Sequence, residues 1–108
     1  MILIDGKCFR FMSDKQTYCP DALEQYNVEV RATTTLYQFR EGKVELDVLF
    51  LTPALLKDIE LLSLPITFIE FTVRNLDSKP HTVEIYYDNS ADPTVNKESE
   101  EVTWEKHR

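Results

Sequence analysis

Apolar and polar residues alternate along most of the chain, and this two-residue period predicts β-structure almost throughout. The cleanest case is 44–51, where Val44, Leu46, Val48 and Phe50 oppose Glu45 and Asp47. Leu49 and Leu51 add apolar character to the second face, which predicts a strand end covered on both sides. Lys7 to Met12 predicts a short strand, followed by a polar loop over 13–21. From Asn27 to Phe39 the pattern predicts one long strand, with Val28, Val30 and Ala32 opposite Glu29, Arg31 and Thr33. Its β-branched Thr33, Thr34 and Thr35 disfavour helix. The phase shifts near Leu36 and Tyr37, which predicts a bulge or bend there. Arg40-Glu41-Gly42-Lys43 predicts a tight hairpin turn, with Gly42 able to take positive φ.

Thr52-Pro53 ends the strand over 44–51, because proline cannot donate to a ladder. Leu55, Ile59 and Leu62 then fall on one helical face, predicting a short helix or 3₁₀ turn around residues 54–63 that Pro65 stops. Ile66 to Val73 predicts a strand with Ile66, Phe68 and Glu70 opposite Thr67, Ile69, Phe71 and Val73. Asn75 to Pro80 is a turn. Thr82 to Asp88 is the next strand, with Val83, Ile85 and Tyr87 opposite Thr82, Glu84 and Tyr86. The reading pairs these two strands as a hairpin over Ile66–Asp88. Beyond Asp88 the chain turns polar, and Val102, Trp104 and Lys106 offer one last strand. Five or six short strands with little helix predict an all-β fold, an antiparallel sandwich or open barrel, as a single domain over 1–108.

Size is consistent with that picture. A chain of 108 residues buries roughly two-thirds of its unfolded surface, enough for a core without staples. Hydrophobic residues at 43% and charged residues at 29% are globular composition. No apolar run approaches the ~18 residues a membrane helix needs, and the N-terminal residues lack the pattern of a signal peptide. Net charge is −7, a sign that repels phosphate backbones and anionic membranes, so neither nucleic acid nor membrane is expected as a partner. The densest basic stretch, Lys106-His107-Arg108, follows Glu98, Glu100, Glu101 and Glu105. Cys8 and Cys19 could close one bridge or remain a pair of small thiols, which leaves the redox compartment open.

The inventory for catalysis is poor. His81 and His107 are the only side chains that act as bases near neutral pH without a shifted pKa, and His81 reads first as an edge residue hydrogen-bonding the adjacent turn. No Gly-x-Ser-x-Gly elbow or His-x-x-x-His pair occurs, and two glycines cannot build a phosphate cradle. Asp88, Asp92, Glu98, Glu100 and Glu101 could gather around a hard cation, but the loop from Asp88 lacks the central glycine and closing glutamate of a calcium loop. A solvated acidic loop is the better reading, and no cofactor or metal is expected. Tyr86, Tyr87, Trp104, Tyr37 and Phe39 could include a sugar-stacking platform, although cross-strand pairs and core packing account for aromatics of this kind.

A family resemblance adds what composition does not. The run Ala32 to Phe39, then Val44-Glu45-Leu46 and Phe50-Leu51-Thr52-Pro53, is joined by Leu61 to Ile69, Asp77 to Ala91, and Val102-Thr103-Trp104. Together they resemble the β-sandwich domain near the N-terminus of the glutaminase A-like proteins of fungi and Bacteroides-type bacteria. Ile4-Asp5-Gly6-Lys7, with Arg10-Phe11-Met12, resembles the lead into that domain. The resemblance implies a large parent protein, secreted, periplasmic or in the cell envelope, whose catalytic helical domain lies outside this chain. It implies that the chain holds part of the sandwich, as a non-catalytic accessory domain partnered by the remaining domains. A carbohydrate-binding module is the alternative, and a free-standing small enzyme fits the residues least. No catalytic residue carries over. Tyr86, Trp104, His81 and Asp88 are the candidates for ligand or interface contacts. Leu49, Leu51, Phe68, Ile69, Phe71 and Trp104 are the candidates for an uncovered patch, which with a free strand edge implies weak self-association.

Overall fold

The computed structural model describes residues 1–13, 18–97 and 99–106. Among the described residues seven strands form two antiparallel sheets. Strands β1 (Ile2–Ile4), β2 (Lys7–Phe9) and β7 (Val83–Ile85) make a small sheet in the order β2-β1-β7. Strands β3 (Glu24–Val30), β4 (Thr34–Glu41), β5 (Val44–Leu51) and β6 (Phe68–Asn75) make the large one, in sequence order. Ile2, Ile4 and Phe9 from the small sheet bury against Phe39, Val44, Leu46 and Val48 from the large one. Phe50, Ile69, Phe71 and Val73 pack at the margin of that core. This is the all-β sandwich that the alternation predicts.

The alternation over 44–51 matches β5 residue for residue, with Val44, Leu46 and Val48 buried and their neighbours half-buried. The opposite face of the large sheet divides into two halves. Toward the β4–β5 turn it is polar. Asn27 donates to Gln38 at 2.8 Å, Gln38 to Asp47 at 3.1 Å, and Arg74 to Asp47 at 2.8 Å, so one ladder crosses all four strands. Arg74 also donates to Glu45, and Arg40 to Glu24 at 2.9 Å. Toward the other end the register places Leu36 beside Leu49, and Leu51 beside Phe68. That half is mixed, because Glu29 and Glu70 flank the Leu36–Leu49 pair and Thr34 stands beside Leu51.

The long strand predicted over Asn27–Phe39 is instead a hairpin. Arg31, Ala32 and Thr33 turn the chain between β3 and β4, with Arg31 N donating to Thr34 O at 2.8 Å. The turn holds no Gly, Pro, Asn or Asp, and its threonine run carries strand propensity, so the break leaves no local signature. The phase shift at Leu36 is therefore the start of a new strand, and the bulge lies between Gln25 and Asn27. Val28 and Val30 face the same side as Tyr37 and Thr35 but lie outside the core, 45% and 73% exposed.

The predicted Ile66–Asp88 hairpin does not form. β6 pairs with β5 and β7 with β1, so the two strands lie in different sheets. Leu76 N still donates to Lys43 O, after which the chain leaves the large sheet. Asn75 donates to Lys79 O and Lys79 N to Asp77 Oδ1, shaping an arch over 76–82 that carries the chain across the core. A seven-residue arch reaches the second layer where a two-residue turn would not.

Gly42 sits in a two-residue turn but does not adopt positive φ. The left-handed turn is at Asp5 (φ 51) and Gly6 (φ 80), between β1 and β2. An Asp-Gly pair between apolar runs is the sequence signature of this primed turn, and it stands in the chain at Ile4-Asp5-Gly6-Lys7. The helical segment is a five-residue helix α1 (Ile59–Ser63), capped by Asp58 accepting from Leu61 N at 2.9 Å. None of its side chains is buried. Val102, Trp104 and Lys106 belong to no strand.

Candidate functional site

The four candidate residues divide among three places. Tyr86 and Asp88 line a cleft of about 280 Å³ at the open end of the sandwich, between the layers. The chain after β7 forms one wall with Tyr86, Tyr87, Asp88 and Asn89; Phe11, Met12 and Tyr18 form another, and Val48, Phe50 and Phe71 form the floor. Met1 closes one side, its ammonium donating to Tyr86 O at 2.7 Å while Tyr86 N donates to Met1 O at 2.9 Å. Tyr87 is fixed by its hydroxyl, which donates to Asn89 Oδ1 at 2.8 Å, and by a tilted ring contact with Phe71. Tyr86 is half exposed. Trp104 is not part of this cleft; it is 86% exposed on the segment after Glu98.

His81 lies in the arch, and its side chain is only 5% exposed. Its Nδ1 is 2.7 Å from Asp5 Oδ2 and its Nε2 is 2.8 Å from Asp77 Oδ1. Both ring nitrogens are thus committed to carboxylates. Hydrogen bonds donated to these carboxylates, to Asp5 first and then Asp77, raise the His81 pKa above its ordinary value, outweighing the desolvation that acts against the charged form. Asp5 is held below the usual carboxylate range, first by His81 and then by the Thr82 backbone. Asp77 is lowered by the Lys79 backbone N–H and by His81. The edge residue bonding its turn, read from the sequence, is thus a cross-link between the turn after β1 and the arch before β7. Asp5 was missed as its partner, because a contact across 76 residues has no local signal.

Cys8 and Cys19 form a disulfide, with Cα atoms 5.5 Å apart. The loop's neck is knit further: Arg10 N donates to Asp21 O, Leu23 N to Arg10 O, and Lys7 pairs with Asp21 at 2.9 Å. Part of the polar loop predicted over 13–21 lies outside the described residues. Among the described residues no three His, Cys, Asp or Glu side chains gather as a metal site, and Glu98 and His107 lie outside them. Asp92 instead accepts from Ser90 Oγ at 2.7 Å, and Glu100 from Asn96 N at 3.1 Å. Among the described residues no helix is long and apolar enough to cross a membrane.

Of the predicted patch, Ile69 and Phe71 pack against the core, while Leu49 and Leu51 are half-buried. Phe68 and Trp104 are exposed. Continuous in sequence with Phe68, the segment around α1 exposes Leu55, Leu56, Ile59, Leu62, Leu64 and Ile66.

Comparison with known proteins places this arrangement. Residues 33–108 match the family described as Domain of unknown function (DUF5127), and the chain belongs to that family. It is also similar to "Glutaminase A" of Aspergillus oryzae, 31% identical over 71 residues. That alignment takes in 65% of this chain and 10% of the relative, so the chain spans about a tenth of that relative's length. No solved structure matches the chain. The family match covers β4, β5, β6 and β7, whereas β1, β2, β3 and the disulfide lie before it.

Proposed function

We propose that this chain is a non-catalytic accessory β-sandwich domain of a glutaminase-like amide hydrolase whose catalytic helical domain lies outside it. The observation that carries the reading is the state of His81. Both of its ring nitrogens are taken up by Asp5 and Asp77, so this histidine offers no free lone pair to a substrate proton. The similarity to glutaminase A supports the parent's class. The exposed leucines and isoleucines around α1, with Phe68, support a role in packing against the remaining domains of the parent. In isolation the same surface and the free edge of β6 favour weak self-association. The Cys8–Cys19 disulfide supports a secreted, periplasmic or cell-envelope parent, since such bonds persist in oxidising compartments.

The purified chain is expected to release no ammonia from glutamine above the buffer rate. Saturable release that disappears in His81→Gln would contradict the proposal. One observation favours a second reading, a carbohydrate-binding module: Tyr18, Tyr86 and Tyr87 share the open cleft. Saturable glycan binding lost in Tyr86→Ala would select it.

A further inference from the structure

The carboxylate–imidazole–carboxylate cluster does more than fill an edge. An ionised carboxylate is an acceptor only, and a neutral imidazole has one donor nitrogen. With Asp5 Oδ2 at 2.7 Å from Nδ1 and Asp77 Oδ1 at 2.8 Å from Nε2, both contacts are satisfied together only by the imidazolium. A neutral ring would aim a lone pair at one carboxylate in a setting where its side chain is 5% exposed. We propose that Asp5, His81 and Asp77 form a proton-dependent latch, which fastens the β1–β2 hairpin to the arch while His81 is protonated and slackens when His81 loses its proton.

The latch stands at the end of the ladder between β1 and β7, beside the last pair Ile4↔Val83. Asp5 N donates to Thr82 O at 2.9 Å and Thr82 N to Asp5 Oδ1 at 3.1 Å, so the same carboxylate fixes both the backbone and the ring. It therefore ties a hairpin that precedes the family match to an arch inside it. That hairpin supplies Ile2, Ile4 and Phe9 to the core, and Met1 to the cleft. The charged groups acting on the cluster are Asp5 from the β1–β2 turn, Asp77 and Lys79 from the arch, and Lys43 from the β4–β5 turn. The lysines favour ionised carboxylates, and the carboxylates favour the imidazolium.

The sign follows from linkage. His81 is raised in the folded chain, so its stabilisation is complete below the ordinary histidine value of about 6.5 and is lost as pH climbs through the folded value. Asp5 and Asp77 are lowered, so their share is present above the ordinary aspartate value and lost as pH falls through the depressed ones. The latch is strongest in mildly acidic solution and weakens as pH climbs through the raised His81 value.

The test is a titration of the imidazole by ¹H–¹⁵N correlation NMR on the full chain, folded and in urea, with amide exchange across the same pH series. The account predicts a midpoint above that of His81 in urea, with both ring nitrogens protonated below it. It predicts that the Asp5 and Thr82 amides lose protection, corrected for intrinsic exchange, through that midpoint while β5 amides keep theirs. Asp77→Asn is expected to move the midpoint down toward the unfolded one. A midpoint at or below that in urea, or one that Asp77→Asn leaves in place, overturns the latch. Should that variant not fold, the titration of the unaltered chain decides alone.

Discussion

Phe39→Ala is expected to destabilise the chain by about 3–5 kcal/mol, a large part of the roughly 5–15 kcal/mol that holds a domain of this kind together. The ring is 2% exposed, in β4, and touches Phe11 at 5.9 Å and Tyr37 at 6.4 Å between centroids. It stands in the core where Ile2, Ile4 and Phe9 meet Val44, Leu46 and Val48. The three-residue strands of the small sheet can close little of the cavity left behind, because their register is held by β1 pairing on both sides. At an m-value of roughly 1.5 kcal/mol/M, the urea midpoint falls by about 2–3 M. Trp104→Ala, at an exposed position, is the control and should change the stability by less than about 0.5 kcal/mol. A Phe39→Ala midpoint equal to that of the unaltered chain would mean that the two layers do not share this core.

Reducing the Cys8–Cys19 bond is the second large effect. Opening a loop with a sequence separation of 11 restores chain entropy to the unfolded state worth about 3 kcal/mol. The native side has little to replace it. Cys19 is fully buried, and beyond the bridge the loop's neck is tied by two backbone hydrogen bonds at Arg10 and the exposed Lys7–Asp21 pair. Urea unfolding with and without a phosphine reductant checks this, with Cys8→Ser/Cys19→Ser as the permanent form. The account predicts an earlier midpoint in both, with protection lost first in β1, β2 and the 19–23 segment. Coincident oxidised and reduced curves would contradict it.

What could be read from the sequence follows from range. The strand over 44–51 is legible because alternation is local and the small sheet covers one of its faces, so Val44, Leu46 and Val48 sit where the period puts them. The short helix is legible from Leu55, Ile59 and Leu62, yet their exposure is not, since periodicity says which residues share a face but not what covers it. The turn at Arg31-Ala32-Thr33 was hidden because strand-forming residues make it. The destination of the strand after Pro80 was hidden because a long arch changes layers without any residue type announcing it. The site divides in the same way. His81 was legible as a turn-bonded residue through Asp77, four positions away, and illegible as a cross-link to Asp5. The Asp5-Gly6 turn is legible from its residue pair alone.

The central claim is that this sandwich works as an accessory part of a larger hydrolase. Its most direct test is the size of the native gene product, by immunoblot of source cells with an antibody raised to the chain. The account predicts a band many times the 12.7 kDa of the chain itself. A band near 12.7 kDa would contradict it and turn attention to what the cleft around Tyr86 binds.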